Sequence, residues 1–237
     1  MIKTPMWRLA TLLGVLAMWP AVAGQVKPAP EVTTPALPAS GSTVESLVPA
    51  GWTIEQRHDA DFNGDRRPDV LLLIREGGTQ GTAPRRIVLV ALATTRPPGY
   101  ALFDSSARLI PSDSSGRFED PMANGEIAVR PGGFDVKLSM MSGVGSYLTA
   151  TMRFRFRFER GCFRLIGYDR YETHRGTLDT RDLSVNFLTG DVTSTTGSAQ
   201  STRTQTQHSR LASNPRRCLS DVPSGWTFDP LATTTHP

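Results

Sequence analysis

The chain has 237 residues, 38% of them hydrophobic and 20% charged, and a formal net charge of +4. That length can build a sizeable core. Lys3 and Arg8 fall in the first 24 residues, which hold no acid, so the remainder carries only +2, a balance that gives no argument for a nucleic-acid partner.

Residues 1–24 have the order of a signal peptide. Lys3 and Arg8 form a positive start, Leu9 to Trp19 a short apolar stretch, and Ala21-Val22-Ala23 a small-x-small cleavage pattern. The apolar stretch is shorter than the roughly 20 residues a spanning helix needs. No later segment reaches that length, so the mature chain is expected to be periplasmic or secreted, with no membrane span. Two cysteines, Cys162 and Cys218, then predict one disulfide, worth about 4 kcal/mol at most by loop entropy.

Residues 25–50 are rich in Pro, Ala, Ser and Thr without amphipathic period, which predicts a linker. Residues 51–192 read as a β domain. Val70 to Ile74 and Ile87 to Ala93 are apolar runs of strand length, as in strands covered on both faces. Phe134, Val136, Leu138 and Met140 alternate with other residues, as do Leu183, Val185 and Phe187. Met152, Phe154, Phe156 and Phe158 interleave with Arg153, Arg155, Arg157 and Glu159, placing aromatics on one face and charge on the other. Arg160-Gly161 turns the chain into a return strand through Phe163, Leu165 and Tyr168. These patterns predict a mainly β fold, an antiparallel meander of about eight strands forming a sandwich or barrel-like domain. Residues 193–237 are expected to be a flexible tail, re-anchored near Cys218 by the disulfide with Trp226 and Phe228.

The most informative stretch is Asp61-Phe62-Asn63-Gly64-Asp65-Arg66-Arg67-Pro68-Asp69. Asp61, Asn63, Asp65 and Asp69 hold positions 1, 3, 5 and 9 of an acidic loop, and calcium takes six to eight hard oxygens at short range. Alternate residues of a tight loop aim side chains inward, and the Arg67 carbonyl at position 7 adds another oxygen. Asp59, Asp61, Asp65 and Asp69 repel one another without a cation. The chain is not an EF-hand, because Leu72 stands at position 12 and a strand follows. The other reading is a surface turn held by its own side-chain hydrogen bonds.

This loop, with the strands around Val70 to Ile74, Ile87 to Ala93 and Tyr100 to Phe103, resembles the calcium loop of FG-GAP and VCBS-type repeats. The resemblance implies Asp61, Asn63, Asp65 and Asp69 as side-chain ligands and Arg67 as a backbone ligand to a structural calcium. Two features depart from it. Arg66 stands where many such loops have Gly, and demands an uncomfortable backbone angle. There is also a single copy, too few for a propeller. The segments Phe163 to Asp169 and Leu183 to Gly190 resemble secreted proteobacterial proteins, which implies a compartment and no activity.

Other chemistry is sparse. His58, His174, His208 and His236 have no zinc-site spacing. Ser142-Gly143-Val144-Gly145-Ser146 lacks the nucleophile elbow and the phosphate-loop lysine, and reads as a turn or bulge. Arg153, Arg155, Arg157 and Arg164 form a candidate anion-binding face for an envelope polymer or lipid headgroup. The alternative is a solvated face answered by Glu159, Asp169 and Glu172. The sequence thus points to a non-enzymatic exported β-domain with one calcium, acting in binding or at the envelope. The alternatives are an envelope hydrolase or hydrolase inhibitor using loop residues such as His174 and Asp169, and a polyanion binder.

Overall fold

The computed structural model describes residues 34–78, 83–142, 146–159 and 161–232. The expected signal peptide, the first part of the linker, Gly143 to Gly145, Arg160 and His236 lie outside them. Two antiparallel sheets face each other in a sandwich-like arrangement that does not close into a barrel. The smaller sheet has the order β1-β5-β4-β3-β2, from β1 (Ser40–Gly41), β2 (Trp52–Ala60), β3 (Asp69–Glu76), β4 (Arg86–Thr95) and β5 (Pro98–Ser106). The larger has the order β12-β11-β10-β9-β8-β7-β6, from β6 (Glu126–Arg130), β7 (Gly133–Met141), β8 (Leu148–Glu159), β9 (Cys162–His174), β10 (Asp179–Asn186), β11 (Asp191–Ser198) and β12 (Ser201–Arg210). Within each sheet the strands β2–β5 and β6–β12 run as meanders, because short turns let each strand pair with the next.

The apolar run of β3 is covered on both faces. Leu71 and Leu73 enter the core between the sheets with Val88 and Val90, opposite Phe134, Phe154 and Phe163. Val70, Leu72 and Ile74 point the other way, into a second cluster with Ile87, Leu89, Val44 and Leu47. The cover over that face departs from the predicted linker 25–50. Val44 and Leu47, on a 3₁₀ turn at Glu45–Leu47, are 3% and 1% exposed. These two, three positions apart, cover the sheet together with the partly buried Leu37 and Val48. Val44 and Leu47 each contribute about 1.5–3 kcal/mol by burial.

β8 obeys its alternation: Met152, Phe154 and Phe156 are fully buried, while Arg153, Arg155 and Arg157 face outward. Cys162 and Cys218 form the disulfide, with Cα atoms 5.8 Å apart. Beyond it Leu219, Val222 and Phe228 are buried, and Phe228 packs on Phe154 and Tyr168 at 5.5 and 5.0 Å between ring centroids. The strand content exceeds the expected eight because β1, β11 and β12 lie in segments read as linker and tail. β12 pairs with β11 from Arg210↔Asp191 to Ser201↔Ser198, although all ten of its residues are exposed. Thr-rich chain favours extended backbone, and the ladder supplies hydrogen bonds where no apolar period exists. Among the described residues no helix is long and apolar enough to cross a membrane.

Among the described residues two charged side chains are enclosed, Asp69 and Arg86. Arg86 opens β4 with its side chain 2% exposed and its Nε 2.5 Å from Glu55. Its two terminal nitrogens reach Asp120 at 2.7 and 2.8 Å. Glu55 is the extra residue of a bulge in β2, between Ile54 and Gln56. That bulge turns Glu55 toward Arg86.

Candidate functional site

The acidic loop joins β2 to β3 and is anchored from within. Phe62 is 1% exposed and meets the rings of Phe134 and Phe163 edge-on at 6.3 and 5.5 Å. Asp61 accepts hydrogen bonds from the backbone N–H of Gly64 at 2.7 Å and of Arg66 at 2.9 Å. Asn63 accepts from the Asp65 N–H, and Asp65 from the Arg67 N–H, both at 2.9 Å. Asp65 is also ion-paired with the Arg67 guanidinium at 2.5 Å. Asp69 is fully buried and takes the N–H of Phe62 at 3.0 Å and of Ala93 at 2.9 Å. Burial pushes the Asp69 carboxyl upward, against the pull of those two N–H groups. Hydrogen bonds from Asn63 and Arg67 hold Asp65 below the usual range. Arg66 takes φ 65°, the left-handed angle that the departure from Gly demanded. Among the described residues no three His, Cys, Asp or Glu side chains converge as a metal cluster. The oxygens of Asp61 and Asn63 that accept N–H groups each keep a second lone pair.

The four arginines are brought together on the outer face of the larger sheet, and each meets an acid. Arg153 lies 3.7 Å from Asp135, and Arg155 pairs with Asp169. Arg157 and Arg164 share Glu159 at 2.8 Å each. Glu172 does not belong to this face; it pairs with Arg170.

The opposite, inner face changes character along its length. Residues directly across neighbouring strands share a face, so the register defines rows. Phe154, Tyr168, Val185 and Val192 form one row, wholly buried beneath the core. The next is Met152, Arg170, Leu183 and Ser194. The one after is Ala150, Glu172, Arg181, Thr196 and Gln205. At this polar end the side chains border a groove of about 660 Å³ that also reaches Leu148 and His174. A second cleft of about 330 Å³ shares Glu172 and Arg181 with it and runs under the C-terminal segment at Phe228, Asp229 and Leu231. Both volumes fall in the small-molecule range of roughly 300–1,000 Å³.

His174 is fixed at the groove's end. Its Nδ1 accepts from the Thr177 N–H at 3.0 Å, so a neutral ring carries its proton on Nε2. The exposed Tyr147 ring lies 5.8 Å from it, centroid to centroid. Nε of Arg170, a residue that lines the second cleft, and the hydroxyl of Tyr168, fully buried in the core, have no hydrogen-bond partner. Burial pushes the Tyr168 hydroxyl up to about 12.

His174 and Asp169, expected as loop residues of a hydrolase site, are both on β9 and lie on its opposite faces. Asp169 is held by Arg155 and by the Ser184 hydroxyl at 2.8 Å, while His174 borders the groove. His58 sits part-buried on β2, 3.3 Å from Gln56, and burial lowers its pKa. His208 is exposed on β12, 3.2 Å from Thr193. Ser142 is buried and bridges to Phe118. Glu172 was expected on the arginine face, and Arg181, Thr196 and Gln205 were not singled out by the sequence. Their signal was the inward alternation Phe187, Val185, Leu183, which continues backward onto Arg181.

No family model matches this chain, and no curated protein and no solved structure matches it.

Proposed function

We propose that this chain is an exported, non-enzymatic binding domain that holds its ligand in the polar groove at the uncovered end of the larger sheet. The observation that carries this reading is the row Glu172, Arg181, Thr196 and Gln205 beside a groove of about 660 Å³. A rigid sheet holds such side chains with little loss of order on binding. Export is supported by the disulfide, which persists in oxidising compartments, together with the N-terminal leader pattern. The separation of His174 from Asp169 favours binding over the hydrolase alternative. The ion pairs of Arg153, Arg155, Arg157 and Arg164 favour the groove over the outer face as the surface for an envelope component or other polyanion.

One calcium ion bracing the acidic loop belongs to the same reading. Asp61, Asn63, Asp65 and Asp69 would hold it, with the Arg67 carbonyl, and this hard-oxygen donor set suits the ion. Asp65 must exchange its pairing with the Arg67 guanidinium for the cation. Calcium would supply no chemistry beyond fixing the β2–β3 connection.

The reading is tested by thermal-shift screening of the oxidised chain against soluble saccharides, peptides and lipid headgroups. Hits should vanish in Glu172→Gln/Gln205→Ala and survive in Arg153→Gln/Arg155→Gln/Arg157→Gln. The reverse pattern would move the site to the outer face and end the proposal.

A further inference from the structure

The groove's charge and hydrogen-bond inventory narrows what it takes. Among the described residues no carboxylate lies within ion-pair distance of the Arg181 guanidinium, although Glu172 stands directly across from it. Glu172 is instead engaged by Arg170. Asp229, at the mouth of the adjoining cleft, accepts the Leu231 N–H at 2.9 Å. Asp179, which with Arg203 also lines the groove, accepts from the Thr177 hydroxyl at 2.6 Å; these acids thus have partners, while among the described residues Arg181 pairs with none. Arg181 presents a planar fork of N–H groups, and Arg170 Nε in the adjoining cleft has no acceptor. Buried polar groups without partners are uncommon and costly. A ligand that brings acceptor oxygens meets the exposed Arg181 fork in the groove and lies beside Arg170 in the adjoining cleft.

The walls fix the rest of the chemistry. Thr196 and Gln205 offer a hydroxyl and an amide, groups that both donate and accept, as a hydroxyl-rich ligand requires. Tyr147, 67% exposed beside His174, provides a flat apolar platform at one end. The row that borders the groove crosses β8 to β12 and meets the edge only at β12, so its side chains are not the alternate pockets along one strand that receive an extended peptide. An arginine fork matches a carboxylate bidentately and discriminates it from a neutral group.

We infer that the groove binds a carboxylate-bearing saccharide: Arg181 forks the carboxylate, Arg170 meets an acceptor oxygen where the adjoining cleft begins, and Thr196, Gln205 and Tyr147 receive the sugar body. This inference rests on the binding reading above and adds its ligand class. Free sugar acids and acidic polymers share this chemistry, and chain length separates them.

The test is calorimetric titration of the oxidised, full mature chain with galacturonate, trigalacturonate and the neutral trigalactoside. Trigalacturonate should bind at least tenfold more tightly than the trigalactoside. Arg181→Gln should remove that preference with an unchanged unfolding midpoint, and Arg181→Lys should restore only part of it. Monomer binding as tight as trimer assigns a free sugar acid; tighter trimer binding assigns a polymer. Equal binding of acidic and neutral trimers, lost in Gln205→Ala, would overturn the carboxylate and leave the groove standing. Binding of neither trimer would overturn the inference, while the wider screen still judges the groove. Trigalacturonate binding lost only in Arg153→Gln/Arg155→Gln/Arg157→Gln would overturn both.

Discussion

Replacing Arg86 by Met tests how the smaller sheet is tied to the connection that leads from it to the larger one. The guanidinium is 2% exposed and sits between Glu55 and Asp120, which are 25% and 23% exposed. It donates four hydrogen bonds of 2.5–2.9 Å. Burial opposes its charge, but the bonds to Glu55 and Asp120 outweigh that and hold its pKa above the ordinary arginine value. Methionine fills much of the same volume, so the change removes the cation with little cavity. Two carboxylates are then left three-quarters buried and facing each other. Removing one partner from such a cluster costs about 3–5 kcal/mol, a large share of a total near 5–15 kcal/mol. At about 2–4 °C per kcal/mol for a domain of this size, the midpoint falls by about 6–20 °C. The triple change Arg86→Met/Glu55→Gln/Asp120→Asn should recover most of the loss, since no uncompensated charge remains. Urea unfolding of the oxidised protein, read by tryptophan fluorescence, gives both numbers. A loss below about 1 kcal/mol for Arg86→Met would refute the argument, because that is the scale of exposed pairs.

Arg66→Gly keeps the N–H donated to Asp61 and relieves a left-handed backbone angle of 65°. It should stabilise by up to about 1 kcal/mol, read as a higher thermal midpoint, and an unchanged or lower midpoint would contradict the strain. Removing the disulfide by Cys162→Ser/Cys218→Ser opens a loop of 56 residues and should cost up to about 4 kcal/mol in urea unfolding. Burial raises the pKa of Asp104, outweighing the N–H groups of Phe163 and Ser105. Its stabilisation is thus full below the ordinary aspartate value near about 3.9 and lost as pH rises through the raised value. Asp104→Asn should therefore gain most over wild type at neutral pH, with the gain shrinking toward pH 4; a gain that grows on acidification would reverse the sign. Calcium added to the chelated protein should raise the midpoint in wild type and not in Asp65→Ala, and equal shifts in both would remove the loop as its site.

Much of this fold could be read where apolar residues kept a strict period. The runs in β3 and β4 announced strands covered on both faces, and β8 announced one wet face. The cover itself could not be read, because Val44 and Leu47, with Leu37 and Val48 beside them, are scattered without period in a Pro/Ser/Thr-rich stretch and gain meaning only against Val70 and Leu72. β12 escaped for a related reason: an exposed edge strand has no buried face to leave a pattern. The groove was hidden by a bulge in β9. There Gly167 pairs with Arg155 but Leu165 pairs with Phe156, so Ile166 is the extra residue. Simple alternation from Phe163 and Leu165 sends Asp169 and Tyr171 inward. The bulge sends Tyr168, Arg170, Glu172 and His174 inward instead, which separates Asp169 from His174 and builds the polar row.

The most direct test of the groove as the binding surface is an NMR titration of the ¹⁵N-labelled chain with trigalacturonate. The account predicts amide shifts centred on Glu172, Arg181, Thr196 and Gln205, with Arg155 and Arg157 on the outer face of β8 unmoved. Shifts centred on Arg153, Arg155 and Arg157, with the β9–β12 row silent, would contradict it.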